Sequence, residues 1–98
     1  MSAKKIKPKK MIFRFYGIYN NISIGPKIHL NNVKIILHEV SALNVNEAFE
    51  LYKYHLIHNV GISEVNLQQY LIDLYYRSIM VEVIDGESVT FDKIDLIA

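Results

Sequence analysis

Histidine and carboxylate pairs are the side chains in this sequence best suited to chemistry, and their spacing decides whether they can act together. His55 and His58 stand three apart in a stretch with helical periodicity, so both can face one way. Such a pair could begin a metal site, which needs a third and usually a fourth ligand. Glu50 and Glu39 are available donors, and His38 or His29 could join on folding, but no spacing fixes that set. His55 also borders the apolar stripe of its helix, where a histidine satisfied within the core is the commoner outcome. His38 and Glu39 adjoin in a predicted strand and therefore point to opposite faces. None of the six serines has the context of a nucleophile elbow. Gly17, Gly25, Gly61 and Gly86 are too scattered to cradle a phosphate. Glu82, Asp85, Glu87, Asp92 and Asp95 match no calcium-loop spacing and read as a solvated hairpin. The chain has no cysteine, which removes disulfides, thiolate ligands and cysteine nucleophiles. The expectation is a protein that is not an enzyme and holds neither metal nor cofactor.

Charge is more informative than any of these clusters. Residues 1–14 carry Lys4, Lys5, Lys7, Lys9, Lys10 and Arg14 with no acid. The remainder carries ten acids against Lys27, Lys34, Lys53, Arg77 and Lys93. A short basic arm on an acidic body is the result. Pro8 and a single large aliphatic, Ile6, leave residues 1–10 too little apolar area to offset the entropy of ordering them. A flexible arm over 1–10 and one domain over 11–98 are therefore expected. Such an arm could reach phosphates on a nucleic acid or an acidic protein surface. Arg14 interrupts the apolar stretch from Met11 to Tyr16 and no small-residue cleavage site follows, so the stretch reads as a strand and the protein as cytoplasmic. No run of 18 apolar residues exists, and no membrane partner is expected. Isoleucine, lysine, asparagine and tyrosine fill about two-fifths of the chain, a codon bias of low-GC bacteria, phages and other viruses. If the source is viral, the host cytoplasm or the virion is the expected location.

The elements that must position these residues follow from periodicity. Met11 to Tyr19 is aromatic and β-branched and alternates as a strand. A second extended stretch runs from Lys27 to Val40, broken near Asn31-Asn32; Ile22-Ser23-Ile24 is too short to assign. In Val33 to Val40 the pattern places Lys34, Ile36 and His38 on one face and Ile35, Leu37 and Glu39 on the other, neither of them clean. Asn44 can cap a helix with Glu47 three residues on, Val45, Ala48, Phe49, Tyr52, Leu56 and Val60 recur at helical spacing, and Gly61 ends it. Ser63 can cap a second helix whose stripe is Leu67, Tyr70, Leu71 and Leu74. Ile79 to Ile84 and Glu87 to Phe91 flank Asp85-Gly86 as a hairpin, with Val81, Val83, Val89 and Phe91 available to the core. The order β-β-α-α-β-β defines a small α+β domain, an antiparallel sheet with a C-terminal hairpin packed on two helices.

Both helices carry more apolar residues than one face needs. Leu51, Tyr54 and Ile57 lie off the first stripe, and Val65, Ile72 and Tyr76 lie opposite the second. Tyr54, Ile57, Ile72 and Tyr76 are therefore the expected contact residues for a protein partner or a second copy of the chain. Phe13, Phe15 and Tyr16 beside Arg14 could stack bases on a sheet, but an apolar core predicts the same residues.

Gly61-Ile62-Ser63 followed by Leu67 and Leu71 resembles the turn and second helix of helix-turn-helix proteins, and the following hairpin resembles a wing. The resemblance spans roughly residues 33–94. It implies a DNA-binding regulator using Asn66, Gln68, Gln69 and Arg77. Ile57 stands where close helix packing wants a small residue, however, and the second helix has no basic residue before Arg77. The leading expectation is a non-catalytic module that acts by binding a macromolecule, most readily a protein, as inhibitor, adaptor or assembly component. A DNA-binding regulator and a virion or assembly component are the alternatives.

Overall fold

The computed structural model describes residues 9–97. Strand β1 (Met11–Tyr19) is followed by the short strands β2 (Ile22–Gly25) and β3 (Ile28–Leu30), then by β4 (Val33–Ala42). Helix α1 (Val45–His55) continues into a π-helical turn over Leu56–Val60, and α2 (Glu64–Tyr75) leads to β5 (Ser78–Asp85) and β6 (Ser88–Asp95). The long strands form one antiparallel sheet in the order β4-β1-β5-β6, while β2 and β3 pair only with each other. The α+β class and the order of the major elements agree with the sequence.

Helix α1 begins where its capping residue dictates. The Asn44 side chain accepts a hydrogen bond from the Glu47 amide at 2.8 Å, satisfying one of the free donors of the first turn. Gly61 adopts φ +91°, the left-handed conformation that ends the π turn, and its amide donates to the Leu56 carbonyl. Ser63 occupies the position before α2, but its side chain makes no capping hydrogen bond. The Asn66 amide donates instead to the Ser63 carbonyl.

Both helices lie on one face of the sheet. Phe13, Phe15, Val81, Val83 and Ile79 project from the strands and meet Ala48, Tyr52, Leu56 and Leu71. Phe13 and Phe15 are thus core residues, and the Tyr52 ring stacks on Phe15 with centroids 4.5 Å apart. Burying a large aromatic side chain contributes roughly 1.5–3 kcal/mol, so these few rings carry much of a small domain's stability.

The registers correct two expectations. On β4 the residues facing β1 run Phe15 to His38 and then Tyr16 to Ile36, leaving Leu37 as the extra residue of a β-bulge. His38 therefore sits on the helix side with Ile35 and Leu37, while Glu39 sits on the opposite side with Lys34 and Ile36. An alternating pattern cannot survive an inserted residue, which is why neither face of this segment looked clean.

The C-terminal hairpin exists, but Asp85 pairs with Ser88, so Gly86 and Glu87 form the two-residue turn. Gly86 takes φ +61°, as the first position of such a turn requires. The resulting register sets Val83 against Thr90 and Val81 against Asp92. Val89 and Phe91 consequently face away from the core.

Beyond Tyr19 the β1–β4 ribbon is interrupted and resumes as β2–β3. Asn21 and Asn32 both adopt φ +57°, a left-handed conformation that asparagine tolerates better than most residues. The Asn21 amide donates to the Asn31 side chain and the Asn32 amide to the Asn20 side chain, each at 2.9 Å. This reciprocal clasp fixes the small β2–β3 ribbon to the end of the sheet. The two strands pack on one another and make no comparable contact with another element.

Candidate binding surface

The sheet face that the helices leave uncovered is built by alternation along all four strands. Cross-strand pairing aligns Ser41, Ile12, Ile84 and Val89 in one row and Glu39, Arg14, Glu82 and Phe91 in the next. Tyr16 and Ile36 pair further along, as do Met80 and Lys93. Val89 is 55% and Phe91 57% exposed, and Ile12, Ile36 and Met80 also reach solvent. Exposed apolar residues standing singly need no explanation, whereas neighbours in register on one sheet face form a patch.

Within this face the charges are matched. The Arg14 Nε donates to the Glu39 carboxylate, and the Lys34 ammonium donates to Glu82. Lys34 also lies 5.0 Å from the centre of the Tyr16 ring and 5.8 Å from that of Phe91. Glu82 is only 5% exposed, so Lys34 and the two aromatic rings enclose its charge. Lys93 pairs more loosely with Asp95 at 3.7 Å. Among the described residues, Arg14, Lys34 and Lys93 of this face are each paired with a carboxylate of the same chain, so neutralising a phosphate there would mean breaking such a pair.

On the covered side, aromatic rings form a continuous stack from Phe15 through Tyr52 and His38 to His55. The successive centroids are 4.5, 5.6 and 4.0 Å apart. The Tyr52 and Tyr75 hydroxyls hydrogen-bond each other at 2.8 Å. Burial raises the pKa of both phenols. Burial, and secondarily the neighbouring His55, lowers that of His38. A cavity of about 150 Å³ adjoins this stack, lined by Tyr19, Leu37, Tyr52, His55, Leu56, Val60, Tyr70 and Leu74.

The histidines do not assemble as ligands. His55 stacks on His38 and its Nδ1 hydrogen-bonds the Asn59 amide group at 2.9 Å. His58 lies against the Tyr54 ring instead, with centroids 4.1 Å apart. Among the described residues no group of three histidine, aspartate or glutamate side chains could hold a metal ion.

The four residues expected to bind a partner are only partly gathered. Tyr54 and Ile57 line a shallow depression of about 340 Å³ between the helices, with Glu50, Lys53, His58, Glu64 and Leu67. Ile72 is half-buried and Tyr76 is 73% exposed; neither lines that depression. Tyr76 terminates α2 with φ +67°. Among the polar residues considered for DNA, Gln68 donates to the Leu96 carbonyl and Gln69 to Asp73, while Asn66 and Arg77 are exposed. Of the basic arm, Lys4, Lys5 and Lys7 lie outside the described residues. Lys9 pairs with Asp85 at 2.8 Å, and Lys10 is exposed.

Sequence reasoning looked to the helices for surplus apolar surface and missed the open sheet face. The signal was present in Ile79-Met80-Val81-Glu82-Val83-Ile84, an almost unbroken apolar run. A strand of that kind presents apolar groups on both faces, and two helices can cover only one.

Compared with known protein families, with curated proteins and with solved structures, the chain matches none of them. No helix among the described residues is long and apolar enough to cross a membrane.

Proposed function

We propose that this protein is a non-catalytic binding module that holds a protein partner on the uncovered face of its sheet. The observation that carries this reading is the row Ile12–Ile84–Val89 beside Phe91, apolar and in register on a face that no helix or strand among the described residues covers. Aromatic residues such as Phe91 are enriched in the cores of protein interfaces, and apolar neighbours around such an anchor exclude water. Asp85 and Glu87 border the patch, so the favoured partner presents aliphatic side chains beside basic ones. The internally paired charges favour a protein over a nucleic acid.

Capture from the source organism with the purified chain tests this, with Phe91→Asp as control and binding to duplex DNA measured in parallel. Retention of a protein by the native chain, lost with Phe91→Asp, supports the reading. Retention of DNA at low salt that falls steeply as salt rises, unaffected by Phe91→Asp, overturns it.

A further inference from the structure

Besides the open face, another apolar surface lacks cover among the described residues, and it lies at the opposite end of the sheet. Ile22 and Leu30 pair across the β2–β3 ribbon; Leu30, Ile24 and Ile28 are all exposed, Ile24 to 61%. A two-stranded hairpin with nothing beneath it is marginally stable in water. The asparagine clasp nevertheless holds this one in a defined position. A small ribbon fixed at its root, with aliphatic side chains bare, is built to be covered by something.

The chain's own geometry narrows what that can be. The ribbon leaves β1 at Tyr19, whereas the patch of Ile12, Ile84, Val89 and Phe91 begins beside Met11. Eight residue steps along β1 separate the two ends, about 27 Å at the rise of an extended strand. The ribbon also points away from that end, so it cannot fold back onto its own patch. It can reach the patch of another molecule.

Charge agrees with that pairing. Lys27 stands at the turn of the ribbon, and among the described residues it takes part in no ion pair. The turn bordering the patch carries Asp85, which pairs with Lys9, and Glu87, which takes part in no ion pair among the described residues. One end of the molecule is aliphatic with a cation, and the other is aliphatic and aromatic with carboxylates.

We propose that the β2–β3 ribbon of one copy docks on the Ile12–Ile84–Val89–Phe91 end of the open sheet face of the next copy, joining copies head to tail. This rests on the reading of the open face as a docking surface and names a second copy as an occupant. A contact between two different surfaces repeats, so it generates a ring if the rotation closes and a filament if it does not.

Sedimentation velocity on the purified chain over a range of concentrations tests it, using two variants. One carries Ile24→Asp and Ile28→Asp on the ribbon; the other carries Val89→Asp and Phe91→Asp on the face. The native chain should grow beyond a dimer with concentration, and each variant alone should remain monomeric. An equimolar mixture should form a one-to-one dimer and stop there, because only one intact ribbon and one intact face remain to meet. Ribbon-to-ribbon or face-to-face pairing cannot give that result, so a mixture that stays monomeric overturns the proposal. So does a native chain that is monomeric to about 1 mM, or a variant that associates like the native chain.

Lys27→Glu and Glu87→Lys, both at exposed turns, keep the test open if an aspartate variant fails to fold. Each single reversal should weaken association about tenfold, and a chain carrying both should recover it. Equal association of all three overturns the proposal. A native chain that stays monomeric yet retains a foreign protein through Phe91 defeats this inference alone and leaves the protein-binding reading standing.

Discussion

The two faces of one sheet follow opposite solutions to the same apolar content. On the covered face, Phe13, Phe15, Ile79 and Val81 are excluded from water by Tyr52, Leu56 and Leu71. On the open face, Ile12, Ile84, Val89 and Phe91 lie outside that core. Its polar members are instead tied down in place, with Arg14 on Glu39 and Lys34 on Glu82. The first face is a core that holds the fold together. The second holds its ionic groups in place while Val89 and Phe91 stay largely in water, an arrangement that suits the docking proposed above.

The widest separation between the faces should appear on truncating one ring from each. Tyr52→Ala removes the ring that contacts Phe15, His38 and Tyr75, and should cost about 3–5 kcal/mol in denaturant unfolding. Phe91→Ala should cost under about 1 kcal/mol, because more than half of that residue is already in water. Equal losses would mean that the open face is structural.

Lys34→Met comes next. It strands a buried carboxylate at Glu82, and because Lys34 itself is half in solvent the cost should be about 1–3 kcal/mol. Adding Glu82→Leu removes the unpaired charge as well, and should return most of the lost stability in the same unfolding experiment.

A smaller effect is expected from Tyr75→Phe on the covered side, about 1 kcal/mol for the lost Tyr52–Tyr75 hydrogen bond. The phenol pKa values bear on alkaline behaviour. In the folded chain both are raised, so near pH 10 the unfolded chain releases protons that the folded chain keeps. Stability present below that pH is lost as pH rises past it. Ultraviolet titration should show the Tyr52 and Tyr75 phenols ionising above the ordinary value of 10, with one such step lost in Tyr75→Phe.

The least effect belongs to His38. Its folded pKa is lowered, so below the ordinary value of 6.5 the unfolded chain takes up a proton more readily than the folded one. Stability should therefore decline as pH falls from 7.5 to 5.5, and His38→Gln should flatten that decline. The groups facing His38 are His55 and Tyr52, one on each side of its ring.

What the sequence displayed was whatever is decided locally. Asn44, Glu47 and Gly61 act within a turn or two of their own positions, and α1 lies where they place it. The existence of the last hairpin followed likewise from Asp85-Gly86. Its register did not, for the turn falls one residue later, on Gly86 and Glu87; a two-residue turn at either place pairs Val89 and Phe91 with even-numbered residues of β5, on the face opposite Val81 and Val83. The ring stack from Phe15 to His55 was invisible for a related reason. Its members come from β1, β4 and α1, and only the folded sheet brings them together. The open face required knowing how many helices would cover the sheet, a global fact that no local window contains.

The extra residue at Leu37 has a consequence for how this chain can change. Before it, odd-numbered positions of β4 turn toward the helices; after it, even-numbered ones do. The strand therefore carries something like a reading frame, reset at a single residue. Deleting Leu37 would close that frame, because His38 and Ile36 would become neighbours in a regular ladder and keep their present partners Phe15 and Tyr16. Deleting Ile35 instead would move Lys34 opposite Gly17, toward the core, and leave Glu82 without its cation. The strand can therefore lose its extra residue and keep its sense, whereas closer to Val33 it must keep its count.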